Sequence, residues 1–144
     1  MKIILASDNV GLNLKLQIAE MLTDQGHQIE DIGVYNEEAS DYPIYGRKAA
    51  EKLARGEAER AILFCGTGFG ISLAANKVPG VRCVNCTDVY TAKLSRQHNN
   101  SNAMALGARV LGTELAKMLV EVWLNTEFDG GRHARRITLL ENID

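Results

Sequence analysis

One six-residue run in this chain joins a nucleophile to a backbone able to approach a ligand: Cys65-Gly66-Thr67-Gly68-Phe69-Gly70. It follows an apolar stretch of β character and precedes one of helical period, so it turns a strand into a helix N-terminus. Free N–H groups and the helix dipole favour negative charge there, which makes the turn a place for an anion or oxyanion. Glycines let the backbone come close to a ligand, and a thiol in that positive field is a candidate thiolate base. The same window also fits a tight turn around a buried, inert cysteine. No Gly-Lys-Ser/Thr follows and Gly-x-Gly-x-x-Gly is not matched, which disfavours ATP and dinucleotides.

Other side chains with chemical potential are scattered. His98-Asn99-Asn100-Ser101 puts an imidazole in a polar loop, either as an acid or base or as an unremarkable loop histidine. Arg132, His133, Arg135 and Arg136 follow Gly130-Gly131. The arginine fork suits bidentate phosphate binding, although a solvated basic tail explains the same charges. Arg109 follows a β-type run, where a phosphate could also sit. Cys83-Val84-Asn85-Cys86 has redox spacing but lies in or at the end of a strand, where residues three apart point to opposite faces. That argues against a disulfide or a metal role. His27, His98 and His133 are far apart in sequence and no acidic cluster accompanies them, so no metal is expected.

The elements that must position these residues alternate. Strands are expected at Lys2–Ala6, Gln28–Ile32, Arg60–Phe64, Val81–Asn85 and Ala103–Leu106. Helical periodicity follows each, carried by Leu14, Ile18, Met21 and Leu22, then over 42–55, 71–77, 88–97 and 112–125. Five strand–helix units connect simply as a parallel sheet covered on both faces, so the fold class is α/β with three layers. Leu115, Met118, Leu119, Val122 and Trp123 are expected to form the core stripe of the last helix. Ligands bind such sheets outside the carboxyl ends of the strands. Those ends are Ser7-Asp8-Asn9, the loop 33–42, Cys65 to Gly70, Cys86-Thr87-Asp88 and Gly107-Ala108-Arg109.

A chain of 144 residues suits one domain spanning 1–144. Its net charge of −2 gives no general field for nucleic acid or anionic membrane, so an anion site must be local. The apolar run before Asp8 is too short for a signal peptide or membrane span, and three cysteines do not make a disulfide framework. A cytoplasmic location is expected.

Taken together, Ser7-Asp8-Asn9-Val10-Gly11, Asp41-Tyr42-Pro43, Cys65 to Ser72, Ala74-Ala75-Asn76-Lys77, Leu94-Ser95-Arg96-Gln97-His98-Asn99 and Gly130-Gly131-Arg132-His133 closely resemble type B ribose-5-phosphate isomerases. That family also holds galactose-, allose- and tetrulose-phosphate isomerases. The resemblance covers essentially the whole chain. It implies a Rossmann-like sheet, no cofactor, and a homodimer, often paired into a tetramer, whose active sites lie at the subunit interface. It makes Cys65 the base that moves a proton between C1 and C2 of the open-chain sugar, with Thr67 and the turn Gly66, Gly68, Phe69 and Gly70 stabilising the enediolate.

On the same resemblance His98 is the acid that opens the furanose ring, assisted by Asp8 and Thr67. Asn99 hydrogen-bonds the sugar, Tyr42 lines its pocket, and Arg109, Arg132 and Arg136 bind the substrate, chiefly its phosphate. Arg135 matches no such position. His98 and the tail, about 126–144, are expected to serve the partner subunit. One branch of the family carries a glutamate base where this chain has Ile71, so the cysteine mechanism is the consistent one. The family usually has Asp-His where this chain reads Asp8-Asn9, and Asn9 cannot become cationic toward a phosphate. Ribose 5-phosphate leads as substrate. The alternatives are six-carbon or four-carbon sugar phosphates, or a non-catalytic sensor, against which the retention of both Cys65 and His98 speaks.

Overall fold

The computed structural model describes residues 1–143; Asp144, the end of the expected tail, lies outside them. Five parallel strands, β1 (Lys2–Ser7), β2 (Gln28–Asp31), β3 (Arg60–Cys65), β4 (Cys83–Asn85) and β5 (Ala103–Gly107), form one sheet in the order β2-β1-β3-β5-β4. Helices α1 (Leu12–Asp24), α2 (Tyr42–Ala54), α3 (Phe69–Asn76), α4 (Val89–Asn99) and α5 (Thr113–Leu124) connect and follow the strands. The expected α/β architecture is therefore present.

Alternation along the strands sends side chains to two separate cores. Ile3, Leu5, Ile62, Phe64, Met104 and Leu106 pack against Leu14, Ile18 and Leu22 of α1, Ala92 of α4 and the buried stripe of α5. Ile4, Ala6, Leu63, Cys65 and Ala105 pack on the other face against Ala49, Ala50 and Leu53 of α2 and Ile71 and Ala75 of α3. Continuous burial of β1, β3 and β5 is what a parallel sheet covered on both sides requires.

Three expectations are corrected. The stripe of α5 is Ala116, Leu119, Val120, Trp123 and Leu124. Leu115 and Met118 are exposed, because the helix is turned so that its small Ala116 meets the sheet. Within the expected tail, residues 132–141 form a sixth helix, α6 (Arg132–Glu141), for which no helix was expected. Its only buried residue is His133, so it gives no apolar period to read. The strand read as 81–85 is confined to Cys83–Asn85.

Two polar devices fix loops that matter for the site. The ammonium of Lys15, wholly buried, donates to Asp31 Oδ1 at 2.7 Å and to the Val34 carbonyl, holding the start of the β2–α2 loop. Trp123 Nε1 donates to Ser101 Oγ at 2.8 Å, and Ser101 Oγ lies 2.9 Å from Ser95 Oγ, which ties α5 to the end of α4. Buried polar groups satisfied in this way set a unique packing.

Candidate active site

β2 lies on one side of β1 and β3 on the other, so the direction of winding reverses between β1 and β3. The crevice outside the carboxyl ends of two such strands is where open α/β sheets bind ligands. Asp8 follows β1 there and Cys65 ends β3. Asp8 is buried, accepts the Gly11 N–H at 3.0 Å through Oδ1, and donates its own N–H to the Phe64 carbonyl at 3.3 Å. Cys65, 4% exposed, sits beside the mouth of this crevice.

The turn after Cys65 is held open by its sequence. Gly68 has φ +84°, a conformation that L side chains rarely adopt, and the side-chain amide of Asn85 lies 2.7 Å from where a Cβ would stand. Phe69 N–H donates to Thr67 Oγ1 at 3.2 Å. The N–H groups of Thr67 and Gly68 meet no acceptor among the described residues, which leaves them for an incoming oxyanion. α3 begins at Phe69, two residues earlier than its periodicity predicts, because these turn residues are already helical.

Other expected residues gather around this turn. A Cβ on Gly70 would stand 2.5 Å from the Tyr42 ring, so the tyrosine lies directly over the turn. Arg109 N–H donates to the Gly66 carbonyl at 2.9 Å, and its guanidinium reaches within 3.7 Å of the Gly66 Cβ position. Asn9 departs from expectation. Its Oδ1 accepts the Ser40 N–H at 3.2 Å and the Ser40 hydroxyl at 3.1 Å, while its own N–H donates to Ser40 Oγ at 2.9 Å. The residue clasps the β2–α2 loop, and only its amide nitrogen is left to face a ligand. Ser40 and Asn85 were not legible in sequence, since both act through neighbours brought by the fold.

His98, Asn99, Arg132 and Arg136 are not near Cys65 in the same chain. α4 runs back from the end of β4 to the start of β5, so His98 and Asn99 lie at the opposite, amino-terminal end of the strands, a strand's length of about 16 Å from the carboxyl ends where Cys65 stands. Arg132 and Arg136 stand there too, one turn apart on α6 and exposed. α6 seats on its own chain through an ion pair between Arg82 and Glu141 and through His133, whose ring stacks on that of His98 with centroids 4.3 Å apart and planes 12° apart. Among the described residues Arg109, Arg132 and Arg136 form no ion pair.

The fold overturns one premise about histidines. His98 and His133, distant in sequence, come together with Asp129, the ligand atoms of all three lying within 4.8 Å of one another. His27 stays apart, hydrogen-bonded to the N-terminal amine at 3.2 Å. The other cysteines take no part in either group. Cys83 and Cys86 are free thiols in opposite cores, as the strand period predicted, and burial pushes them up to about 12 and about 11.

The sequence profile described as ribose/galactose isomerase matches residues 3–140. Ribose-5-phosphate isomerase B of Escherichia coli is 46% identical over 143 residues, covering 99% of this chain and 96% of the relative. D-erythrulose-4-phosphate isomerase 2 of Mycolicibacterium smegmatis is also 46% identical, over 132 residues, covering 90% and 87%. The structure of ribose-5-phosphate isomerase B from Clostridium thermocellum superposes with a TM-score of 0.97 at 50% identity, covering 98% of this chain and 95% of that one. With a parallel α/β sheet shared over its length and a cysteine-bearing anion turn at the switch point, the chain belongs to the ribose/galactose isomerase family of sugar-phosphate isomerases.

Proposed function

We propose that this protein interconverts ribose 5-phosphate and ribulose 5-phosphate, without a cofactor, in the cytoplasm. The observation that carries the reading is Cys65 at the β1–β3 crevice, opening onto a turn whose Thr67 and Gly68 N–H groups are free. Cys65 as thiolate takes the proton from C2 of the open aldose. The electrons move through C1–C2 onto the carbonyl oxygen, giving an enediolate that the turn stabilises, and the same thiol returns the proton to C1. Before that step His98 donates a proton to the ring oxygen as the furanose opens, with Asp8 and Thr67 assisting at O1. Tyr42 and Asn99 line the sugar, and Arg109, Arg132, Arg136 and the Asn9 amide hold the phosphate.

Such a site requires two chains. His98 and the α6 arginines stand a strand's length from Cys65, so the homodimer supplies them across its interface, and dimers can pair further into tetramers. The exposed Phe69, Leu73 and Ile44 around the turn, and Leu139 and Leu140 on α6, give that interface apolar surface at both groups.

A second reading has a specific support. The Mycolicibacterium smegmatis relative, as similar in sequence as the Escherichia coli one, is an erythrulose-4-phosphate isomerase, and Asn9 is spent on Ser40 rather than offered as a cation. A four-carbon substrate is therefore the alternative, ahead of six-carbon allose or galactose 6-phosphate and of a non-catalytic sensor. The test is kcat/KM of the purified protein on ribose 5-phosphate, erythrose 4-phosphate, allose 6-phosphate and galactose 6-phosphate. A preference for ribose 5-phosphate of about tenfold, worth about 1.4 kcal/mol in the transition state, upholds the pentose assignment. Preference for another sugar reassigns the pocket, and turnover of none favours the sensor.

A further inference from the structure

His133 is the one buried side chain of α6, only 7% exposed, and it lies flat on the ring of His98. The ten residues of α6 thus bury against the protein only an imidazole that faces another imidazole. Asp129 is pinned beside them by its N–H, which donates to the Gln97 carbonyl at 3.0 Å, and His133 N–H donates to the Gly130 carbonyl at 3.1 Å. The arrangement is poor for a shared metal ion. Imidazole nitrogens bind a metal through lone pairs in the ring plane, and two rings stacked within 12° of parallel run those directions side by side instead of converging them on one ion.

We infer that His133 and Asp129 are positioning residues for His98, holding its ring in the plane from which it protonates the ring oxygen of a cyclic sugar phosphate. The inference rests on the reading of His98 as the ring-opening acid. All but one of the charged groups facing His133 fit this task. Burial, then His98 from α4 and Arg132 and Arg136 from α6, hold its basicity below the ordinary range, with Asp129 alone opposing them. A neutral His133 stacks on His98 without competing for its proton, since two imidazolium rings in contact repel. A neutral ring lying against a cationic one is also an attractive arrangement.

The substrate pair itself separates ring opening from proton transfer. Ribose 5-phosphate closes through its free O4, but ribulose 5-phosphate has its O5 esterified and stays open. Exchange of the C1 hydrogen of ribulose 5-phosphate with deuterated water therefore probes the enediolate step with no ring to open. His133→Leu and Asp129→Ala are expected to lower conversion of ribose 5-phosphate by about tenfold or more, with C1 exchange in ribulose 5-phosphate held within about twofold of the parent. His133→Phe, which keeps a flat ring, is expected to restore most of the conversion. Loss of both rates together, or of neither, overturns the inference and leaves the stack as ordinary helix packing. Undiminished conversion of ribose 5-phosphate by His98→Ala overturns the underlying reading of His98 instead.

Discussion

Cys65→Ala is expected to abolish isomerisation to the limit of a background about 10²–10⁴-fold lower, the loss that follows removal of a positioned general base. Binding of ribose 5-phosphate should be little changed. The thiol is buried at the end of β3 in the core that also holds Ile71 and Ala6, and removing one sulfur from that position leaves the turn's N–H groups and Arg109 in place. Titration calorimetry checks binding, and a coupled assay checks turnover, so the two effects separate. Cys83 and Cys86 cannot substitute, because burial keeps both thiols protonated in the cores. Turnover unaffected by Cys65→Ala would remove the thiol from the mechanism.

Mixing two inactive variants should regain activity. In the proposed homodimer, where each site takes Cys65 from one subunit and His98 from the other, a dimer of one Cys65→Ala chain and one His98→Ala chain holds one intact site and one doubly defective site. Random re-association of equal amounts makes half the dimers mixed, and the preparation recovers about a quarter of the parent rate. The separation that drives this expectation is topological: β3 ends at the carboxyl ends of the strands and α4 at their amino ends. Were both residues to act within one chain, mixing would recover nothing. Subunits are combined by partial denaturation and refolding, with unmixed controls treated alike.

The layout was readable wherever physics writes a local signature. Apolar runs such as Ile3 to Ala6 and Ala61 to Phe64 announce strands buried on both faces, and the strand period alone placed Cys83 and Cys86 in opposite cores. Helix faces were less legible, because apolar residues also serve surfaces. Leu115 and Met118 match the period of α5 yet face outward, while Ala116 carries the contact. α6 had no stripe to detect, since a single histidine anchors it.

For the site, the turn from Cys65 to Gly70 was visible as a candidate because a glycine-rich strand-to-helix turn can hold an anion, while the same window also fits a tight turn around an inert cysteine. The partners that shape it were not. Asn9 reads as a ligand by its place in the motif, but its carbonyl is taken by Ser40, 31 residues away. His98 and His133 are distant in sequence, and only the packing of α6 on α4 shows them stacked. Contacts between elements depend on the topology, which no local pattern encodes.

The fate of one hydrogen tests the enediolate mechanism most directly. Ribose 5-phosphate incubated with the protein in deuterated water, followed by proton NMR, should give ribulose 5-phosphate that gains solvent deuterium at C1 as the mixture equilibrates. An enediolate formed by a thiol whose proton equilibrates with solvent gives that exchange. Conversion with C1 free of deuterium at equilibrium is the outcome of a direct hydride shift from C2 to C1 and would contradict a solvent-exchanging thiol base.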